Sequence, residues 1–439
     1  MLPLLLILVL SIYVYHCVRF MLRRGHDLHA LAFFVLYVYT VFTQIGYAYF
    51  PAYSILVGAY FGPTLFYKYW IFMFLSFVFT FLLYKKMFPK NDMRNSYYLK
   101  PTNSRLGENL FFLFCILLFI TLNIYFHTFR SSFGYGGGNP MGGPWFGIGF
   151  WIFIVCTLIL FVFFREKSNT KFKRMLSGML FLVFILFFLQ VSIASGVRSN
   201  ILYIFLSLAF YELFPLVTKI KFQKRKIFAL AIGSFFVFSL MGDLRLARQS
   251  GLDLNFSLLF SSEVERAPNQ NLAQSILMQD YFLPSHTLFI SMNYEIIDPI
   301  EVTKSNLANS LVLLKYPFLS TTIVETATGV DYERGGGWAY HYFVEGYNFL
   351  GMFGIFYNAL FWNLGMLLWF KLGQSNNKML NKFMLTLSVL TIVLVMRSQT
   401  SAFIHFYWLV LLPGLVLYLM ANNSLVRFYK KTKLLNKNE

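Results

Sequence analysis

Apolar runs of about twenty residues, the length that crosses a bilayer core, recur along the chain and restrict it to very few architectures. They fall at roughly 2–20, 30–50, 64–84, 109–129, 144–164, 175–195, 200–217, 227–242, 349–370, 379–396 and 402–421. In lipid every backbone polar group must be satisfied within the protein, so such runs are helices. The reading is an all-α polytopic membrane protein with about 11 transmembrane helices. Composition agrees: 58% of residues are hydrophobic and 13% charged, half the charged share of an ordinary soluble domain.

The first run is followed by Arg19, Arg23 and Arg24, has no basic residue before it and lacks a small-x-small cleavage site. It is expected to stay as the first helix and not to be removed as a signal peptide. Cys17, Cys115 and Cys156 all lie inside predicted spans without CxxC spacing, which leaves neither a zinc cage nor a disulfide frame.

Charge sets the expected orientation. With the N-terminus outside and the C-terminus inside, segments 19–29, 85–108, 165–174, 218–226, 371–382 and the tail face the cytoplasm, and they hold 27 of the 37 basic residues. That is the asymmetry insertion produces. The net charge of +19 therefore requires no nucleic acid, whose recognition would gather cations into one patch.

The chain divides into helices 1–8 over 1–242, a large outer loop over 243–348, helices 9–11 over 349–421 and a basic cytoplasmic tail over 422–439. Twelve of the eighteen acids lie in the outer loop. "NLAQSILMQDYFL" (271–283) and "SNLANSLVLLKYPFL" (305–319) have partial helical periodicity and are too short to cross, so they read as helices on the outer surface.

Outside, arginines outnumber lysines seven to three, whereas inside there are nine arginines and eighteen lysines. Arginine's planar fork grips phosphate oxygens in pairs and keeps its proton in any surroundings. Arg198 lies in the tight turn between helices six and seven, Arg245 and Arg248 leave the outer end of helix eight, and Arg397 lies between helices ten and eleven. All four belong at one depth. Snorkelling to head groups accounts for that depth but not for the preference for arginine. A lipid diphosphate, with its tail in the bilayer and its phosphates at the edge, fits such a cluster. No DxD pair is present, and Asp331 with Glu333 is the nearest approach, so no metal or other cofactor is expected and fixed cations would stabilise a departing diphosphate.

The chain resembles the bacterial O-antigen polymerases of the Wzy type, which are oligosaccharide repeat unit polymerases. The likeness is carried by "SGVRSN", by "LRLARQSG" and by "RGGGWAYHYFVEGYNFLGMFGIFYNALFWNLG", where Glu345, Tyr347, Asn348, Phe349, Gly351 and Gly354 follow the family's late pattern. The resemblance implies a membrane glycosyltransferase (GT-C-like) fold in the bacterial cytoplasmic membrane. It implies transfer of glycan between undecaprenyl-diphosphate-linked oligosaccharides at the outer face, with a flippase and a chain-length regulator as partners. The arginine-x10-glycine motif of some members is not met, since Glu345 stands ten residues after Arg334 and Gly346 follows. Arg334, Tyr347 and Asn348 are the weaker substrate-binding candidates.

Such a transfer needs a base for the acceptor hydroxyl. Glu345 and His341, four residues apart, are the candidates. Each also has an ordinary reading, Glu345 as a helix cap and His341 as part of an aromatic belt with Trp338, Tyr340, Tyr342 and Tyr347. His286 reads as a loop residue. "GYGGGNPMGG" (134–143) has no strand before it and no Lys-Ser after it, so it is no phosphate loop. An O-antigen ligase on a similar scaffold, or a flippase for lipid-linked oligosaccharides, remains open as an alternative. Paired half-repeats and mid-membrane charges, usual in transporters, are not evident in the sequence.

Overall fold

The structure is a computed structural model and describes residues 2–49, 63–89, 105–129, 144–166, 171–195, 198–223, 225, 286–294, 298–311, 319, 322–323, 340–373, 378–396 and 398–421. Among the described residues there is helix and no strand. In chain order the helices are α1 (Leu2–Arg23), α2 (Asp27–Tyr49), α3 (Pro63–Met87), α4 (Arg105–Thr128), α5 (Pro144–Glu166), α6 (Lys171–Ser195), α7 (Arg198–Leu213), α8 (Leu216–Phe222), α9 (His286–Tyr294), α10 (Pro299–Leu311), α11 (Tyr342–Leu350), α12 (Gly354–Gly373), α13 (Lys378–Val395), α14 (Ser401–Phe406) and α15 (Leu412–Ala421). A π-turn, Tyr407–Leu411, joins the last two into one rod.

Seven stretches are long and apolar enough to cross a membrane, and α2, α7 and α13 supply three shorter apolar helices. Ten of the eleven expected runs thus coincide with described helices, and the run at 227–242 lies outside the described residues. The outward faces are apolar at helical spacing: Leu110, Leu113, Leu117, Ile120 and Ile124 are exposed along α4, and Phe356, Leu360, Leu364 and Leu368 along α12. Stripes of this kind suit hydrocarbon and not water. The three cysteines are buried.

Contacts between helix ends sort the bundle into two poles. At one, Arg24 donates to the Phe88 carbonyl (2.9 Å), the Asp27 carboxylate accepts from Leu216 N–H (2.6 Å), Lys173 pairs with Glu108, and Arg165 forks onto Glu212. Lys382 there lies 3.8 Å from the centre of the Tyr211 ring and reaches toward Glu166. These residues come from the segments expected to face the cytoplasm, so this is the basic pole. At the other pole α9 stacks Phe289 on Tyr69 of α3, and α10 packs on α11 and α14.

The stretch 342–371 is not one rod. Gly346 N–H donates to Asn358 Oδ1 (3.1 Å) and Asn358 Nδ2 to the Phe343 carbonyl (2.9 Å), pairings that only a reversed chain can make. A tight 3₁₀ turn at Gly351–Phe353, with Gly351 at φ +58°, turns α11 back onto α12. Gly346 and Gly354 let the two backbones touch: a Cβ on Gly354 would stand 1.9 Å from the Gly346 oxygen. The crossing helix is α12, whose 20 residues span about 30 Å.

The outer loop expected over 243–348 therefore ends differently. Residues 340–347 are buried inside the bundle. The His341 ring reaches the Leu36 carbonyl (3.2 Å), nine residues and about 13 Å along α2 from the basic pole. Hence α11 starts about halfway through the bundle and climbs outward. The segment is too apolar to remain in water, and α12 and α13 offer it an interior.

Candidate functional site

The site grows from the first turn of α11. His341 caps that helix, its Nδ1 accepting from Phe343 N–H (3.1 Å). Nδ1 is an acceptor, so Nε2 carries the proton, and it lies 3.0 Å from Thr40 Oγ1 and 3.2 Å from the Leu36 oxygen. Both ring nitrogens are engaged and the side chain is sealed from solvent. His341 is held as a structural cap, which leaves it no free lone pair for proton abstraction.

Glu345, one turn on, is fully buried. Its Oε1 accepts from Asn306 Nδ2 of α10 and from the Tyr357 hydroxyl of α12, both at 2.5 Å, and its Oε2 accepts from Thr400 N–H. One carboxylate thus ties together the surface helix α10, the hairpin and the turn before α14. It does not cap its own helix, because its partners come from three other elements. Gln399 extends the network: its amide nitrogen donates to Ser305 (3.2 Å), Asn306 (3.0 Å) and Ser401 (2.9 Å), and its oxygen accepts from Leu319 N–H (3.0 Å). Thr400 Oγ1 lies 3.3 Å from the Tyr342 hydroxyl. Such a network has value only when each member is satisfied, and here the donors outnumber the cations: no Lys or Arg pairs with Glu345 among the described residues.

The remaining candidates separate. Asn348 Nδ2 donates to the Tyr340 hydroxyl (3.1 Å), and Tyr347 meets Phe72 edge-on beneath the Lys68 ammonium, 5.2 Å from the ring centre. Asn348 shares the Glu345 face of α11, three residues on, whereas Tyr347 points to α3. Arg198 is the first residue of α7. Because Lys382 near the start of α13 packs on Tyr211 near the end of α7, the two helices run antiparallel, and α7 begins at the pole where α13 ends. The Arg198 side chain, and Arg245, Arg248, Arg334 and Arg397 entirely, lie outside the described residues, as do Asp331, Glu333, the glycine stretches and the helix expected at 271–283. Among the described residues no three His, Cys, Asp or Glu side chains come together to hold a metal.

Asn306, Tyr357, Gln399 and Thr400 were not among the sequence candidates. A signal existed for two of them: "SQTS" at 398–401 interrupts an otherwise apolar stretch of chain, and polar residues in such a setting mark an internal partner.

Comparisons with protein-family models, with curated proteins and with solved structures give no match for this chain.

Proposed function

We propose that the protein is a membrane glycosyltransferase that joins undecaprenyl-diphosphate-linked oligosaccharide repeat units into a surface polysaccharide. The basic pole faces the cytoplasm, as the positive-inside rule requires, and the Glu345 cluster is buried in the half of the bundle toward the opposite compartment. The observation that carries the reading is the Glu345 carboxylate itself, held by Tyr357, Asn306 and Thr400 N–H in the half of the bundle away from the basic loops. It belongs to the same late motif that carries the resemblance.

In this mechanism the acceptor hydroxyl displaces the Asn306 amide from Oε1 and gives its proton to Glu345. Its oxygen bonds to the anomeric carbon of the donor sugar as the bond from that carbon to the phosphate oxygen breaks. The diphosphate leaves with the electron pair and is stabilised by Arg198, Arg245, Arg248 and Arg397, fixed charges of the kind that lower such barriers. Purified protein given a lipid-linked repeat unit is expected to form ladders. Glu345→Gln is expected to bind the substrate and extend nothing, and Arg→Lys at the four positions to shorten the product. Full extension by Glu345→Gln removes the base, and undiminished extension by all four lysine variants removes the diphosphate site.

One observation favours a second reading, a transporter of lipid-linked oligosaccharide. A half-helix that starts halfway through a bundle and carries a buried carboxylate is a common transporter feature, and α11 is one. Proteoliposomes that move a fluorescent lipid-linked glycan between leaflets without lengthening it would favour this reading over the first.

A further inference from the structure

A second polar group lies nearer the basic pole, where α2, α3 and α12 meet. His29 Nε2, Thr80 Oγ1 and Asn363 Oδ1 are all buried and have no hydrogen-bond partner among the described residues, and His26 lies beside them. They are neighbours. Asn363 Nδ2 donates to the Thr80 carbonyl (3.1 Å), and Tyr84 lies one turn along α3 from Thr80. The Tyr84 hydroxyl is 2.5 Å from His26 Nδ1, and the His29 ring is 5.4 Å from the Tyr84 ring and 5.3 Å from the His26 ring.

Three orphaned polar atoms share one seam. Buried polar groups are nearly always satisfied, by protein or by ordered water, and water bridges those that protein does not reach where the site is polar and has room for it. The donors and acceptors here are of both kinds: a hydroxyl can do either, an amide oxygen accepts, and the His29 imidazole offers one nitrogen in either role. The end of the seam at the basic pole is also polar, since Arg24 and Asp27 flank His26 in the turn between α1 and α2. Its upper limit is Asn358, whose Nδ2 reaches Ser76 Oγ at 3.4 Å, one turn along α3 from Thr80, and whose Oδ1 accepts from Gly346 N–H.

We infer that this seam is an inlet for solvent: a file of bound water enters beside His26 from the basic pole and is held by His29, Thr80 and Asn363. Water so placed ends one hydrogen-bonded side chain short of Gly346, the neighbour of Glu345 in sequence. The interior of the bundle is then hydrated from the basic pole to a depth that its aromatic walls would otherwise keep dry. The inference is independent of the glycosyl-transfer reading, because none of its four residues takes part in that mechanism.

The test is radiolytic labelling of the intact protein in lipid nanodiscs in H2-18-O, in which side chains beside bound water gain labelled oxygen even when they are closed to bulk solvent. Tyr39 is the internal control: it is buried, in α2, and its hydroxyl is turned to the Val393 carbonyl at 3.4 Å. Labelling of Tyr84 and His29 several-fold above that of Tyr39 is the expected result. Labelling of both at the level of Tyr39 overturns the inlet.

Discussion

The Tyr357 hydroxyl stands 2.5 Å from Glu345 Oε1, across a hairpin whose two helices are joined by three residues. That bond, with those from Asn306 and Thr400, keeps a carboxylate inside an apolar bundle. Tyr357→Phe removes one donor to a charged acceptor, a loss of about 1.5–3 kcal/mol, and leaves the ring packing on Phe349 and Phe361 unchanged. The expected result is a lower apparent melting temperature in detergent with the protein still folded. A melting temperature equal to that of the wild type would show that the phenol is not holding the carboxylate.

The hairpin depends on two missing side chains. A Cβ on Gly346 would lie 2.3 Å from Asn358 Oδ1 and 2.4 Å from the Gly354 oxygen, so Gly346→Ala must push α11 off α12. Overpacking of this kind costs about 1–3 kcal/mol or more. Gly354→Ala is expected to be at least as damaging, since its Cβ would meet backbone alone. Gly147→Ala, with nothing within 4 Å, is the neutral control. Folded yield by size-exclusion chromatography separates the three.

How much of this was legible beforehand follows from the physics of each element. The runs at 109–129, 144–164 and 175–195 fall on α4, α5 and α6 because lipid demands length and apolarity, both of which are local. The hairpin was not legible. "YFVEGYNFL" is nine residues long, too short to cross, and periodicity cannot tell a surface helix from one folded back into the interior. The motif that carries the resemblance pointed to Glu345, but its partners at 306, 357 and 400 are scattered along the chain and only tertiary structure assembles them. His341 shared a sequence neighbourhood with Glu345, yet it faces α2, because a capping residue turns its ring back to the first turn.

Acid has a defined effect at the basic pole. Burial, with the Arg24 charge beside it, pulls the His26 imidazole down to about 4 from an ordinary 6.5. Tyr84, His29 and Phe370 face it from the packed helices, and Asp27 follows it in the chain. Between those two values the unfolded chain binds the proton and the folded one does not. Stability attributable to His26 is therefore fully present above about pH 6.5, falls as the pH drops toward about 4, and levels off below. His26→Gln retains a partner for Tyr84 and should flatten this slope. A thermal-shift series across that range in both proteins measures the difference.

Thr80→Val distinguishes a wet seam from a dry one by sign. Removing a hydroxyl that water bridges lowers the melting temperature, whereas replacing an orphaned hydroxyl by a methyl of the same shape raises it. The expected direction is downward. Thr157, whose hydroxyl is buried and bonded to the Phe153 carbonyl at 2.9 Å, gives the reference for a hydroxyl satisfied within its own helix.

Because α11 turns back on α12 and carries Glu345, it cannot be handed to lipid as an independent span during synthesis. Its docking surfaces are α2 and α3, made long before it, and the turn at 398–400, made more than fifty residues after Glu345. The ribosome has therefore added more than fifty further residues before the carboxylate meets its last donor, and biogenesis must keep α11 sheltered until then. Assembly of this centre is a post-insertion event, and truncations that stop before residue 400 should leave it a client for membrane quality control.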